Sequence, residues 1–112
     1  MSATTSKTLT EEYFDQQQRS FNDIYVNDPS QGLQIATEAL ARVNGLHDSV
    51  AWKKKMRSWF LMALGLAYFN LGQPMRAIEY YEQSLEICRE TRDRRGEGQT
   101  LNNLGNAYSN LG

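Results

Sequence analysis

Residues 64–72 read LGLAYFNLG, and forty positions later residues 104–112 read LGNAYSNLG, with seven of the nine unchanged. Self-similarity at a spacing of roughly 20–50 residues marks a stack of like supersecondary units. Each unit buries its apolar side only against its neighbour, so the repeat restricts the chain to a solenoid. At 112 residues the chain suits one domain of modest core and not two.

The punctuation between apolar segments says what the units are made of. Thr8-Leu9-Thr10-Glu11 fits a capping box, with Glu11 three residues after Thr8. Residues 1–7 before it are expected to be disordered. The box predicts a helix over about 9–26 with Phe14, Phe21, Ile24 and Tyr25 inward. Asp28-Pro29 reads as an N-cap followed by proline in the first turn, where its missing N–H costs nothing. The helix it opens carries Leu33, Ala36, Ala39, Leu40 and Val43 at helical spacing. Asn44-Gly45 closes that helix, and Asp48 is expected to cap a third, over 49–71, that ends at Gly72. Pro74 opens a fourth with Ala77, Ile78, Tyr81, Leu85 and Cys88 inward, and Asp93 caps a fifth that reaches Leu111. No stretch alternates with period two. The chain reads as all-α with about five helices: a first pair over 8–48, a unit over 49–92, and the first helix of a further unit over 93–112.

Within the repeat the residue types make physical sense. Gly65 and Gly105 leave room for a neighbouring helix, Tyr68 and Tyr108 lie one turn on to fill the space between helices, and Ala77 sits where a pair crosses closely. These positions, with Leu64 and Tyr81, resemble the tetratricopeptide repeat (TPR) over residues 59–112. The usual repeat of that family is about 34 residues. The forty-residue spacing, and DRRGEG upstream of LGNAYSNLG, are similar to its longer-repeat class, whose members grip peptides along an inner groove. Arg89 stands where the family usually closes a unit with proline. Residues 9–48 lack the Leu-Gly and Tyr signature, so the first pair is a divergent repeat or an N-terminal cap. The resemblance implies a TPR-type α-solenoid with the first helix of each pair on the concave side.

On the fifth helix Leu101, Leu104, Ala107, Tyr108 and Leu111 share one side. Gln99, Asn102, Asn103, Asn106, Ser109 and Asn110 gather on the other, within roughly 120° of arc. Asparagine is a mediocre helix former because its amide competes for backbone hydrogen bonds, so four on one face call for a reason. An amide offers donors and an acceptor, and a row of them can hold the backbone of an extended peptide whatever its sequence. The resemblance carries such contacts onto Asn103, Asn106 and Asn110. The competing reading is a hydrated surface. The same arc of the third helix holds Trp59, Met62, Leu66, Phe69 and Asn70, on a helix that is apolar almost all round. Those side chains are either enclosed by neighbours or form a ligand site. Lys53, Lys54, Lys55 and Arg57 make a basic run that reads as a solvated face or as a clamp for acidic groups.

Other classes find no support. With 12 basic and 13 acidic side chains the net charge is −1, against the basic excess that nucleic acid or an anionic membrane would want. The longest apolar run, 59–69, is eleven residues, where a spanning helix needs about 20. The start is polar and lacks the core of a secretory signal. One cysteine, Cys88, allows no internal disulfide, which fits a cytoplasmic protein. His47 is the lone histidine and sits in a loop, Cys88 belongs to packing, and no residues have metal-ligand or phosphate-loop spacing, so neither enzyme nor cofactor is expected.

The expectation is a scaffold that binds a peptide segment of a partner protein. Leu104, Tyr108 and Leu111 lack a helix to cover them, which leaves two readings. The chain is a regulatory fragment of a larger multi-repeat protein, or a second copy covers that side in a homodimer or swapped assembly.

Overall fold

The computed structural model describes residues 8–112 as five helices: α1 (Leu9–Ile24), α2 (Pro29–Asn44), α3 (Lys53–Asn70), α4 (Pro74–Thr91) and α5 (Arg94–Leu111). The disorder expected for residues 1–7 lies outside the described residues.

Three helix starts follow from their caps. Thr8 and Glu11 exchange the two bonds of a capping box, at 3.1 and 3.3 Å. Asp28 Oδ1 accepts from the Gln31 N–H at 3.1 Å with Pro29 at the first position, and Asp93 Oδ1 accepts from the Gly96 N–H at 3.0 Å. Asp48 is different. It caps nothing, because residues 48–52 are spent in turns and α3 begins only at Lys53. The Lys53 ammonium donates to Asp48 Oδ1 at 2.8 Å and to the Leu46 carbonyl at 2.6 Å, which ties the connection to the helix start. That ammonium holds the Asp48 carboxyl below its ordinary range.

The ends of α3 and α4 are made by left-handed residues. Gly72 (φ +80) closes α3, with Gln73 N–H bonded to Tyr68 O at 2.9 Å and Gly72 N–H to Phe69 O at 3.0 Å, the pair of bonds that terminates a helix in a Schellman turn. Arg92 (φ 59) does the same for α4 without glycine, with Asp93 N–H on Cys88 O at 2.8 Å. The helix runs past Arg89, where the family pattern puts proline, and Arg89 Nε instead meets Glu97 Oε2 of α5 at 2.9 Å.

Helices adjacent in sequence pack against one another in order, and α3 sits in the middle of the row. Two cores result. Phe14, Phe21, Ala36, Val43, Phe60 and Leu64 belong to the first, among α1, α2 and α3. Ala77, Ile78, Tyr81, Leu85, Leu104 and Ala107 form the second, between α4 and α5. Leu66 packs against both. Aromatic contacts brace the first core, with Phe14 5.8 Å from Trp52 and Phe21 5.8 Å from Trp59, both edge-on. At the α3–α4 crossing a Cβ on Gly65 would collide with the Tyr81 ring, so only glycine allows this approach. The result is an elongated stack of 55 × 30 × 21 Å.

Of the side chains expected inward, Phe14, Phe21, Ala36, Ala39, Val43, Ala77, Ile78, Tyr81, Leu85 and Cys88 are buried, while Ile24, Tyr25, Leu33 and Leu40 are half-buried. Tyr68 lies half-buried and stacked on Tyr80 at 5.5 Å. Its counterpart Tyr108 does not fill an interhelical space: it is 53% exposed and donates to Glu82 Oε2 at 3.3 Å. Gly105 likewise has no atom within 4 Å of a would-be Cβ, because no helix lies where α4 lies against Gly65.

Candidate functional site

The first helix of each pair, α1, α3 and α5, contributes to one open cavity of about 520 Å³, with α4 behind it. That volume falls in the range of roughly 300–1,000 Å³ in which ligand sites occur. From α1 come Glu11, Asp15 and Gln18, which share a half-buried stripe at i, i+4 and i+7 beside the inward Phe14 and Phe21. Trp52 and, from α3, Lys55, Met56, Trp59 and Met62 supply the central wall. Asp93, Arg95, Gly96, Gln99 and Thr100 close the side formed by α5. Ser58, Ser84 and Cys88 are the buried floor at the α3–α4 crossing. There Ser84 Oγ donates to the Ser58 carbonyl at 2.9 Å, and the two hydroxyls lie 3.0 Å apart.

Of the ten residues read from the sequence as groove-lining, three border this cavity: Trp59, Met62 and Gln99. The others extend the same stripes away from it. At about 100° per residue, Leu66 and Asn70 keep the direction of Trp59 within roughly 20°. Asn103, Asn106 and Asn110 keep that of Gln99 within about 40°, and Asn102 within about 60°. Gln99, Asn102, Asn106 and Asn110 are exposed and Asn103 is half-buried. None of these five carboxamides hydrogen-bonds a side chain or backbone group among the described residues. Asn70 is exposed. The apolar arc of α3 divides its surface: Trp59, Met62, Leu66 and Phe69 each rest partly on a core and keep a part in the open.

The basic run has mostly structural employment. Lys53 ties the loop, Lys54 pairs with Glu90 at 3.2 Å, and Arg57 Nε donates to Asn44 Oδ1 at 3.0 Å. Only Lys55 reaches the cavity. Sequence reasoning missed the α1 stripe, having given Glu11 a capping role alone, and missed Arg95 and Thr100. The spacing of Glu11, Asp15 and Gln18 at i, i+4 and i+7, flanking the inward Phe14 and Phe21, was the available signal. Among the described residues no group of three or more His, Cys, Asp or Glu could hold a metal ion, and no helix is long and apolar enough to cross a membrane.

Comparison with known proteins fits this arrangement. The pattern of the tetratricopeptide repeat matches residues 57–112, half of the chain. The chain is similar to G-protein-signaling modulator 1 of Homo sapiens, 45% identical over 80 residues that cover 71% of this chain and 10% of that protein. It therefore spans about a tenth of the length of this relative. No solved structure matches it. Tetratricopeptide repeats are a non-catalytic interaction fold that binds protein partners. Stacked antiparallel hairpins, a glycine crossed by a tyrosine at the pair's closest approach, and the matched repeat together place this chain in the tetratricopeptide repeat family.

Proposed function

We propose that the chain is a recognition scaffold that seats an extended segment of a partner protein along the stripes of α1, α3 and α5. Gln99, Asn102, Asn103, Asn106 and Asn110, with Asn70 beside them, hold the peptide backbone, and Trp59, Met62, Leu66 and Phe69 receive its apolar side chains. One observation carries the reading: a row of carboxamides without protein partners continues the face of α5 that opens on the cavity. Polar side chains held clear of internal bonds on a helix face are free to meet another backbone. The scaffold has no catalytic role, and acts on protein rather than nucleic acid or membrane, in the cytoplasm. The similar human protein is named as a modulator of G-protein signalling, which points the search for the partner to proteins of that process.

The test is a library of extended peptides displayed on phage and selected on the intact chain. Binders should lose roughly tenfold or more in affinity against Asn103→Ala with Asn106→Ala, with helicity by circular dichroism unchanged. Unaltered affinity rejects the assignment.

A second reading, self-assembly, is favoured by the outer side of α5, where Leu101, Tyr108 and Leu111 are 44, 53 and 46% exposed around the open Gly105. An apolar patch of this kind is suited to an interface with a second copy.

A further inference from the structure

The three helices that open on the cavity bring their first turns to one edge of it. Glu11 is the third residue of α1, Lys55 the third of α3 and Arg95 the second of α5. Each lines the cavity, and one turn further on Asp15, Trp59 and Gln99 line it too. Lys55 and Arg95 stand forty residues apart, the spacing of the repeat itself. One rank of charge therefore crosses the groove at this edge, acidic on α1 and basic on α3 and α5.

The two cations have no use within the chain. Their basic neighbours are engaged: Lys53 with Asp48 at 2.8 Å, Lys54 with Glu90 at 3.2 Å, and Arg89 with Glu97 at 2.9 Å. Lys55 and Arg95 are exposed and make neither an ion pair nor a hydrogen bond among the described residues. Nor do they serve their own helices. The N-terminus of a helix is the positive end of its macrodipole, where a carboxylate stabilises and a cation costs. Glu11 obeys that rule, with one oxygen accepting from the Thr8 N–H at 3.3 Å, whereas Lys55 and Arg95 oppose it. Unpaired cations set against the dipole on two successive helices of one cavity wall are complementary to an acidic ligand.

We propose that this edge of the groove fixes the order of charges in the bound peptide: acidic side chains lie over Lys55 and Arg95, and a basic side chain faces Glu11. The inference rests on the groove reading above and deepens it, because the carboxamides of α5 accept any backbone and give it no direction. Packed helices lie about 8–10 Å apart, which an extended chain covers in roughly three residues. The segment that fits has two acidic residues about three apart and a basic residue about three beyond, on the α1 side only. Exposed charges of this kind select a partner more than they hold it.

The test is a phage-displayed peptide library selected in parallel on the intact chain and on Lys55→Glu with Arg95→Glu. On the parent we expect the acid-acid-base order to be enriched over its charge-inverted counterpart, and on the variant we expect basic residues in the two acidic places. Parent binders should lose about tenfold in affinity against the variant, and a similar factor in about 0.5 M salt. Lys55→Gln with Arg95→Gln removes the charges without reversing them. It should show an intermediate loss with helicity by circular dichroism unchanged. Identical peptides from both selections, binders indifferent to both charge variants, or no binders at all overturn the proposal. Binders that depend on Asn103 and Asn106 but not on the two cations reject the charge order and keep the groove reading. Binders that depend on the cations alone reject the carboxamide grip and keep the charge order.

Discussion

Gly65 and Gly105 occupy the same place in the repeat and face opposite surroundings. A side chain at Gly65 must displace the Tyr81 ring, whereas one at Gly105 meets nothing within 4 Å. Gly65→Ala should therefore cost about 1–3 kcal/mol by overpacking. Gly105→Ala should add roughly 0.5–1 kcal/mol, since alanine gives up less backbone freedom in a helix. Urea unfolding of the two variants reads both signs. Tyr81 itself makes a pH prediction. Its burial raises the phenol well above the ordinary value of 10.0. The unfolded chain ionises this group near pH 10 while the folded chain does not, so its contribution is fully present below about pH 10 and is lost as pH rises beyond. Tyr81→Phe should flatten that alkaline loss in thermal melts at pH 9, 10 and 11. A variant that falls as steeply as the parent would refute the assignment to Tyr81.

At the level of helices, the caps at Thr8, Asp28 and Asp93 were legible because a cap is local: a short side chain and an N–H three residues on suffice. Asp48 misled for the same reason. An acidic residue after glycine signals a helix start, but the length of the connection was set by where Lys53 could reach the Leu46 carbonyl, a contact spanning seven residues. The Asp93 cap marked where α4 must stop, but not how it stops, because Arg92 adopts a left-handed conformation that its residue type does not announce. That strain is removable. Arg92→Gly should stabilise the chain by about 0.5–1 kcal/mol, as relief of the left-handed backbone outweighs the greater freedom of the unfolded glycine. A lowered melting temperature would show that the arginine side chain does something the turn geometry does not reveal.

Across the whole molecule, two cores meet at α3, and the elongated stack has more side surface than a sphere of equal mass. The outer side of α5 is the largest consequence, since Leu101, Tyr108 and Leu111 lie open around Gly105. If a second copy covers it, light scattering should show mass rising toward the dimer with concentration, and Leu101→Glu with Leu111→Glu should hold the chain monomeric while peptide binding survives. A monomer at every concentration counts against self-assembly and leaves the groove reading intact.

The amino-acid sequence by itself determined five helices, most of their inward residues and the family, because helix periodicity, caps and a forty-residue repeat are properties of neighbours along the chain. Tertiary structure decided which surface stayed open. The cavity joins Glu11 to Thr100 across three helices that are never adjacent in sequence. How far Leu66 is covered is likewise a matter of what packs beside it, and it lies half-buried against both cores. A residue's own chemistry says what it can bond, but exposure is a relation between elements, and only packing resolves it.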